Sequence, residues 1–114
     1  MKNSFFAFCI FISMVVYNIT IKVAPQIEEQ WLKWQKEEHI PEIMAMGLFH
    51  EYKMFVLLEQ DAEDGPTYVI QYFASTIENY RKYVSEFSPA LQKKHLHKWG
   101  NHFVAFRTVM QSVH

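Results

Sequence analysis

Cysteine is almost absent: Cys9 is the only one in 114 residues. That excludes a disulfide framework and a thiolate cluster for zinc. Charge of one sign is also missing, since 11 Lys and Arg against 12 Asp and Glu leave a formal net charge of -1. No basic run is present to track phosphates, so nucleic acid is not an expected partner. GxGxxG, Walker, HExxH and GxSxG patterns do not occur. This removes the motif-borne routes to dinucleotide binding, phosphoryl transfer, metalloprotease and serine-hydrolase chemistry. No cofactor is expected. Repeats, low-complexity segments and linkers are lacking too. What is plentiful is apolar: 50% of residues are hydrophobic and 17% aromatic. Such a composition specifies a folded domain, and this length favours one.

The N-terminus reads Met1-Lys-Asn-Ser-Phe-Phe-Ala-Phe-Cys-Ile-Phe-Ile-Ser13. A lysine before an apolar run begins a signal-peptide pattern, but no A-x-A-like cleavage site follows. A membrane helix needs about 20 mostly apolar residues, and Ser13, Asn18 and Thr20 interrupt the run. Residues 1–13 are therefore expected to be an extension upstream of a start at Met14, with residues 14–114 forming one cytoplasmic domain. The alternative is an export signal or a membrane anchor within residues 1–23.

From Val15 to Val23 the pattern alternates. Val15, Tyr17, Ile19, Ile21 and Val23 share one face, and Val16, Asn18, Thr20 and Lys22 the other, which is a half-buried strand. Pro25 suits the first turn of a helix, and Glu28 and Glu29 suit its positive end. Ile27, Trp31 and Trp34 form an apolar stripe. Pro41 is expected to end that helix near His39, with a turn or second helical piece to Met46 closed by Gly47. Leu48 to Gln60 reads as a strand, Asp61 to Pro66 as a hairpin loop, and Thr67 to Phe73 as the third strand. Ser75 and Glu78 match a capping box. Ile77, Tyr80, Val84 and Phe87 continue as a helical stripe, Ser88-Pro89 restarts the helix, Leu91 and Trp99 face the core, and Gly100 stops it. His102 to Met110 is the last strand. The order predicts an α+β, ferredoxin-like βαββαβ fold: a four-stranded antiparallel sheet with both helices on one face.

Helices on one face leave the other open, and that face is mixed in polarity. A second copy packed against it would cover it as an isologous homodimer. Asn18, Thr20, Gln71 and Arg107 are expected to converge there, orienting a small apolar or aromatic ligand or bonding across the dimer. His39, beside the Pro41 kink, is the candidate acid–base residue; its plainer role is to cap the helix or meet a carbonyl. Trp31 and Trp34 read as core, with Trp34 as a candidate cleft wall. His95, His97 and His102 are expected to be solvated rather than metal ligands, because His95 and His97 point apart on a helix.

Several segments together resemble a small bacterial family known only as domain of unknown function 4286. They are Val16-Tyr-Asn-Ile-Thr-Ile-Lys-Val23, the Trp31-to-Phe49 stretch with its WxxW and His39-Ile-Pro41, Thr67-Tyr-Val-Ile-Gln-Tyr-Phe73, Tyr83 to Leu91, and Phe103-Val-Ala-Phe-Arg-Thr108. The resemblance spans about residues 14–110 and implies a start near Met14. Met46 stands where that family more often has threonine. More broadly the chain resembles the dimeric α/β-barrel superfamily. Three functions are expected: a non-catalytic interaction or regulatory dimer and, as the resemblance implies, a small-molecule site with monooxygenase-like or isomerase-like activity, or haem binding through Asn18 and His95. Fold alone does not choose between them.

Overall fold

A computed structural model describes residues 13–61 and 63–113. The expected extension over residues 1–13 lies outside these, Ser13 apart. Strand β1 is Val15–Val23, and every second residue from Val15 is buried. Alternation in the sequence becomes alternation in burial because successive side chains leave a strand on opposite faces. Helix α1 follows in four pieces: a 3-10 turn Pro25–Ile27, an α segment Glu28–Trp34, a π turn Gln35–His39 and an α segment Ile40–Met44. Strands β2 (Glu51–Val56) and β3 (Thr67–Ala74) form an antiparallel hairpin. Helix α2 runs through Ile77–Lys82, a π turn Tyr83–Phe87 and Ser88–Trp99, before β4 (Phe103–Gln111). The sheet order is β2-β3-β1-β4, with every neighbouring pair antiparallel. This is the ferredoxin-like α+β plan.

Four local expectations need correction. The first helix does not end near His39. In a regular α-helix Pro41 would offer no N–H to the Glu37 carbonyl and its ring would collide with it. Widening the preceding turn avoids the collision: the Ile40 N–H bonds the Gln35 carbonyl five residues back, and the helix carries on through Pro41. The second helix repeats the device rather than restarting. There the Ser88 N–H bonds the Tyr83 carbonyl immediately before Pro89.

Strand β2 is shorter than Leu48–Gln60. Phe49 leaves the sheet to pack among Tyr17, Tyr72 and Tyr83. Beyond Leu57, whose N–H reaches the Thr67 carbonyl at 2.9 Å, the chain turns through Glu59 at φ 57. The cap of α2 is Thr76, not Ser75: the Thr76 hydroxyl accepts from the Asn79 N–H at 3.1 Å. Gly100 ends α2 at φ 60, as a glycine stop requires.

Both helices lie on the face of β1 that carries Tyr17, Ile19 and Ile21. The core between them holds Trp31, Trp34, Ile40, Ile43, Ile70, Tyr72, Leu91 and Trp99. No helix among the described residues is long and apolar enough to cross a membrane.

Candidate functional site

A small cavity lies between the sheet and the two helices. The sheet contributes Tyr17, Ile19, Ile21, Ile70, Tyr72, Phe103, Ala105 and Arg107; α1 adds Gln35, His39 and Ile43, and α2 adds Tyr83, Leu91, Gln92 and His95. It gives the centre of a water-sized sphere about 20 Å³, room for roughly one or two waters. The π turns shape it. Gln35 and His39 are the two ends of the first, and Tyr83 opens the second.

Trp31 Nε1–H donates to His95 Nε2 at 3.0 Å, deep in the core. An indole N–H can only donate, so His95 Nε2 must accept and the ring is neutral with its proton on Nδ1. Phe103 meets the His95 ring edge-on at 4.1 Å. His39 stacks on Trp34 at 4.6 Å and lies 5.7 Å from His95. Burial holds His39 down to about 4; the Lys94 and Arg107 charges add to this and Glu42 opposes it. Burial lowers His95 to about 3, with His39 and Arg107 contributing. Both imidazoles are therefore neutral near pH 7. Burial likewise raises Tyr17, with Arg107 opposing, and raises Tyr72 and Tyr83.

Three buried polar atoms on this cavity have no partner: Gln35 Oε1, His39 Nδ1 and the Tyr72 hydroxyl. A fourth, Trp99 Nε1, does not line it. Folded proteins pair nearly all such groups, because each orphan costs about 1–3 kcal/mol. Here three of them belong to residues lining one void.

The structure divides the residues singled out from the sequence. Asn18, Thr20 and Gln71 do share the open face, where they bond one another. Gln71 Nε2 donates to Asn18 Oδ1 at 3.3 Å, and Asn18 Nδ2 donates to Thr20 Oγ1 at 3.4 Å. Arg107 does not join them. It pairs with Ile19 across the β1–β4 ladder and so projects to the helix side, leaving Thr108 beside Asn18. His39 reaches the cavity, but as a buried ring in mid-helix rather than a cap. Trp34 is buried against His39 and lines an outer groove instead. His95 is not solvated: it is 6% exposed. Asn18 and His95 lie on opposite sides of the sheet, so they cannot share one haem as the superfamily resemblance suggested. No group of three His, Cys, Asp or Glu suited to a metal occurs among the described residues.

Gln35, Tyr17 and Tyr72 were not foreseen as site residues, and His95 only as a haem ligand by resemblance, though the sequence holds signals for them. Gln35 stands four residues after Trp31 and four before His39. His95 stands midway between Leu91 and Trp99 at helical spacing, on the face already assigned to the core. Tyr17 and Tyr72 fall on the covered face by strand alternation.

The chain belongs to the family described as domain of unknown function DUF4286, which matches residues 14–113. No curated protein matches it. Solved structures share its fold. SnoaB, a cofactor-independent oxygenase from Streptomyces nogalater, in a mutant form, has a TM-score of 0.62 at 12% identity, covering 89% of this chain and 94% of its own. A hydroxynitrile lyase from Passiflora edulis has a TM-score of 0.56 at 15% identity, covering 88% and 96%. A NIPSNAP family protein with unknown function from Agrobacterium tumefaciens has a TM-score of 0.62 at 13% identity, covering 90% and 91%. At these identities the likeness is one of fold, and it agrees with the ferredoxin-like α+β plan.

Proposed function

We propose that this member of the DUF4286 family binds a small molecule in the cavity between its sheet and helices. The observation that carries this is that Gln35, His39 and Tyr72, which all line one void, each hold a buried polar atom with no partner: Oε1, Nδ1 and the hydroxyl. A ligand supplying hydrogen-bond partners there recovers free energy that the empty protein forgoes. The aromatic and aliphatic walls suit an apolar or aromatic body. The space is closed to about the size of one or two waters, so a larger ligand displaces side chains on entry. His39 is the group through which monooxygenase-like or isomerase-like chemistry would run. It is neutral, stacked in place by Trp34, and its buried Nδ1 has no hydrogen-bond partner.

The interaction-module reading concerns the other face of the sheet. Val104 is 68% exposed and Phe106 60%, on the same side as Val16, Val69, Phe73 and the Asn18–Gln71 pair. We infer that a second copy covers this apolar stretch, giving a homodimer with a ligand cavity in each protomer.

Phenol, with one aromatic ring and one hydroxyl, is the first probe. Titration followed by the indole N–H signals of Trp31 and Trp34 should show a saturable shift, weakened in Tyr72→Phe. No saturable shift by about 10 mM phenol, the limit of a weak fragment, would remove the basis for this reading.

A further inference from the structure

Building on that cavity reading, we propose that the ligand is an acid, held by its anionic head against the Arg107 guanidinium at the cavity mouth. Arg107 is the only lining group charged near pH 7. The two lining histidines are neutral, and no aspartate or glutamate lines the cavity. Two outside charges that act on His39, Lys94 and Glu42, form an ion pair at 3.0 Å and oppose one another. Among the described residues no carboxylate lies within ion-pair distance of Arg107.

The placement of Arg107 follows from register. Antiparallel pairing sets it opposite Ile19, in the middle of the helix-covered face. Its side chain is exposed, while Gln35, His39 and Tyr72 behind it are buried. One end of the cavity therefore carries an unopposed positive charge in reach of water, and the other carries neutral acceptors and donors. A guanidinium presents a planar fork that matches the two oxygens of a carboxylate. The Tyr17 hydroxyl lies beside Arg107, where it is a neutral hydrogen-bond partner and no counter-charge. A cationic ligand would meet repulsion at the mouth, and a neutral one would leave the guanidinium unmatched. The arrangement selects a small acid: planar anion outward, apolar or aromatic body between the walls, and a neutral oxygen or nitrogen inward.

Benzoate and benzamide have nearly the same shape and differ in charge. Titrating each into the full chain, with the Trp31 and Trp34 indole signals as readout, should give benzoate the tighter binding by at least about tenfold. Arg107→Gln should abolish the preference, and Arg107→Lys, which keeps charge but loses the fork, should retain part of it. Far-ultraviolet circular dichroism checks that both variants fold. Equal binding of the two probes to the native chain overturns the acid assignment while the cavity reading stands. A benzoate preference that survives in Arg107→Gln overturns the role given to Arg107. Binding of neither probe, or of phenol, overturns both.

Discussion

The two faces of strand β1 make a natural contrast. Tyr17, Ile19 and Ile21 point toward the helices, and Asn18 and Thr20 point away. By composition the second face is the polar one. By bonding the order reverses. On the open face Gln71, Asn18 and Thr20 form a chain of hydrogen bonds in which each side chain has a partner. On the covered face Gln35, His39 and Tyr72 each hold an atom with none. Polar residues at a wet surface are inexpensive and unspecific. Unpaired polar atoms in a low-dielectric interior are costly, and their grouping is the stronger sign of a ligand site.

Acid should widen this contrast most. His39 and His95 have folded values of about 4 and about 3, below the ordinary 6.5. A histidine whose folded value is lowered favours the folded state while it is neutral. That stability is complete above pH 6.5 and is lost as pH falls toward the folded value, since the unfolded chain takes up protons first. Each histidine accounts for about 2 kcal/mol lost by pH 5, and the two add because both rings are still neutral in the folded protein there. Urea unfolding at pH 7.5, 6 and 5 should show the loss. His39→Gln and His95→Gln should each flatten it, the latter while keeping an acceptor for Trp31. A stability unchanged over this range would mean that the rings are hydrated, not buried.

The open face is tested next, through its apolar members. Phe106→Glu puts a charge where a second copy would pack, and its side chain is already largely in water, so the protomer should fold as before. Dimer dissociation should rise at least about 100-fold, about 2.7 kcal/mol, by sedimentation velocity. A native chain that stays monomeric at about 100 μM would end the dimer reading and leave this face as solvated surface.

Much of the fold was legible in the sequence. Strand β1 matches its predicted limits because nine residues alternate without interruption. The helix order and Gly100 stop followed from periodicity and backbone chemistry. Two kinds of feature were hidden. Proline gave a false end at His39, because local rules cannot see a helix absorbing Pro41 by widening one turn. The face of Arg107 was ambiguous for a different reason. Phe103 to Met110 does not alternate, and only the β4 register against β1 decides it. The same ambiguity grouped Arg107 with the open face. Polarity drew attention to Asn18 and Gln71 as well as to His39, while Gln35 and Tyr72 stood among apolar neighbours with nothing local to mark them as unpaired. What made them informative was the lack of a partner, a relation between elements that no single segment displays.

The smallest effect gives the sharpest comparison of the faces, because its sign differs between them. Tyr72→Phe deletes a buried hydroxyl that has no partner. Removing such a group relieves a desolvation cost, so the variant should gain about 1 kcal/mol in urea unfolding, or lose nothing. Asn18→Val deletes the centre of a bonded chain on a half-exposed surface and should lose about 0.5 kcal/mol. The cavity variant should thus be the more stable and the weaker binder of phenol, while the sheet-face variant should be the less stable and bind as before. A loss of about 1 kcal/mol in Tyr72→Phe would reverse the interpretation. The hydroxyl would then be held by a resident water, and the void would be a filled structural site. Opposite signs on the two faces would instead show that the covered face sacrifices stability to keep Tyr72 unpaired, which is the expected behaviour of a group reserved for a ligand.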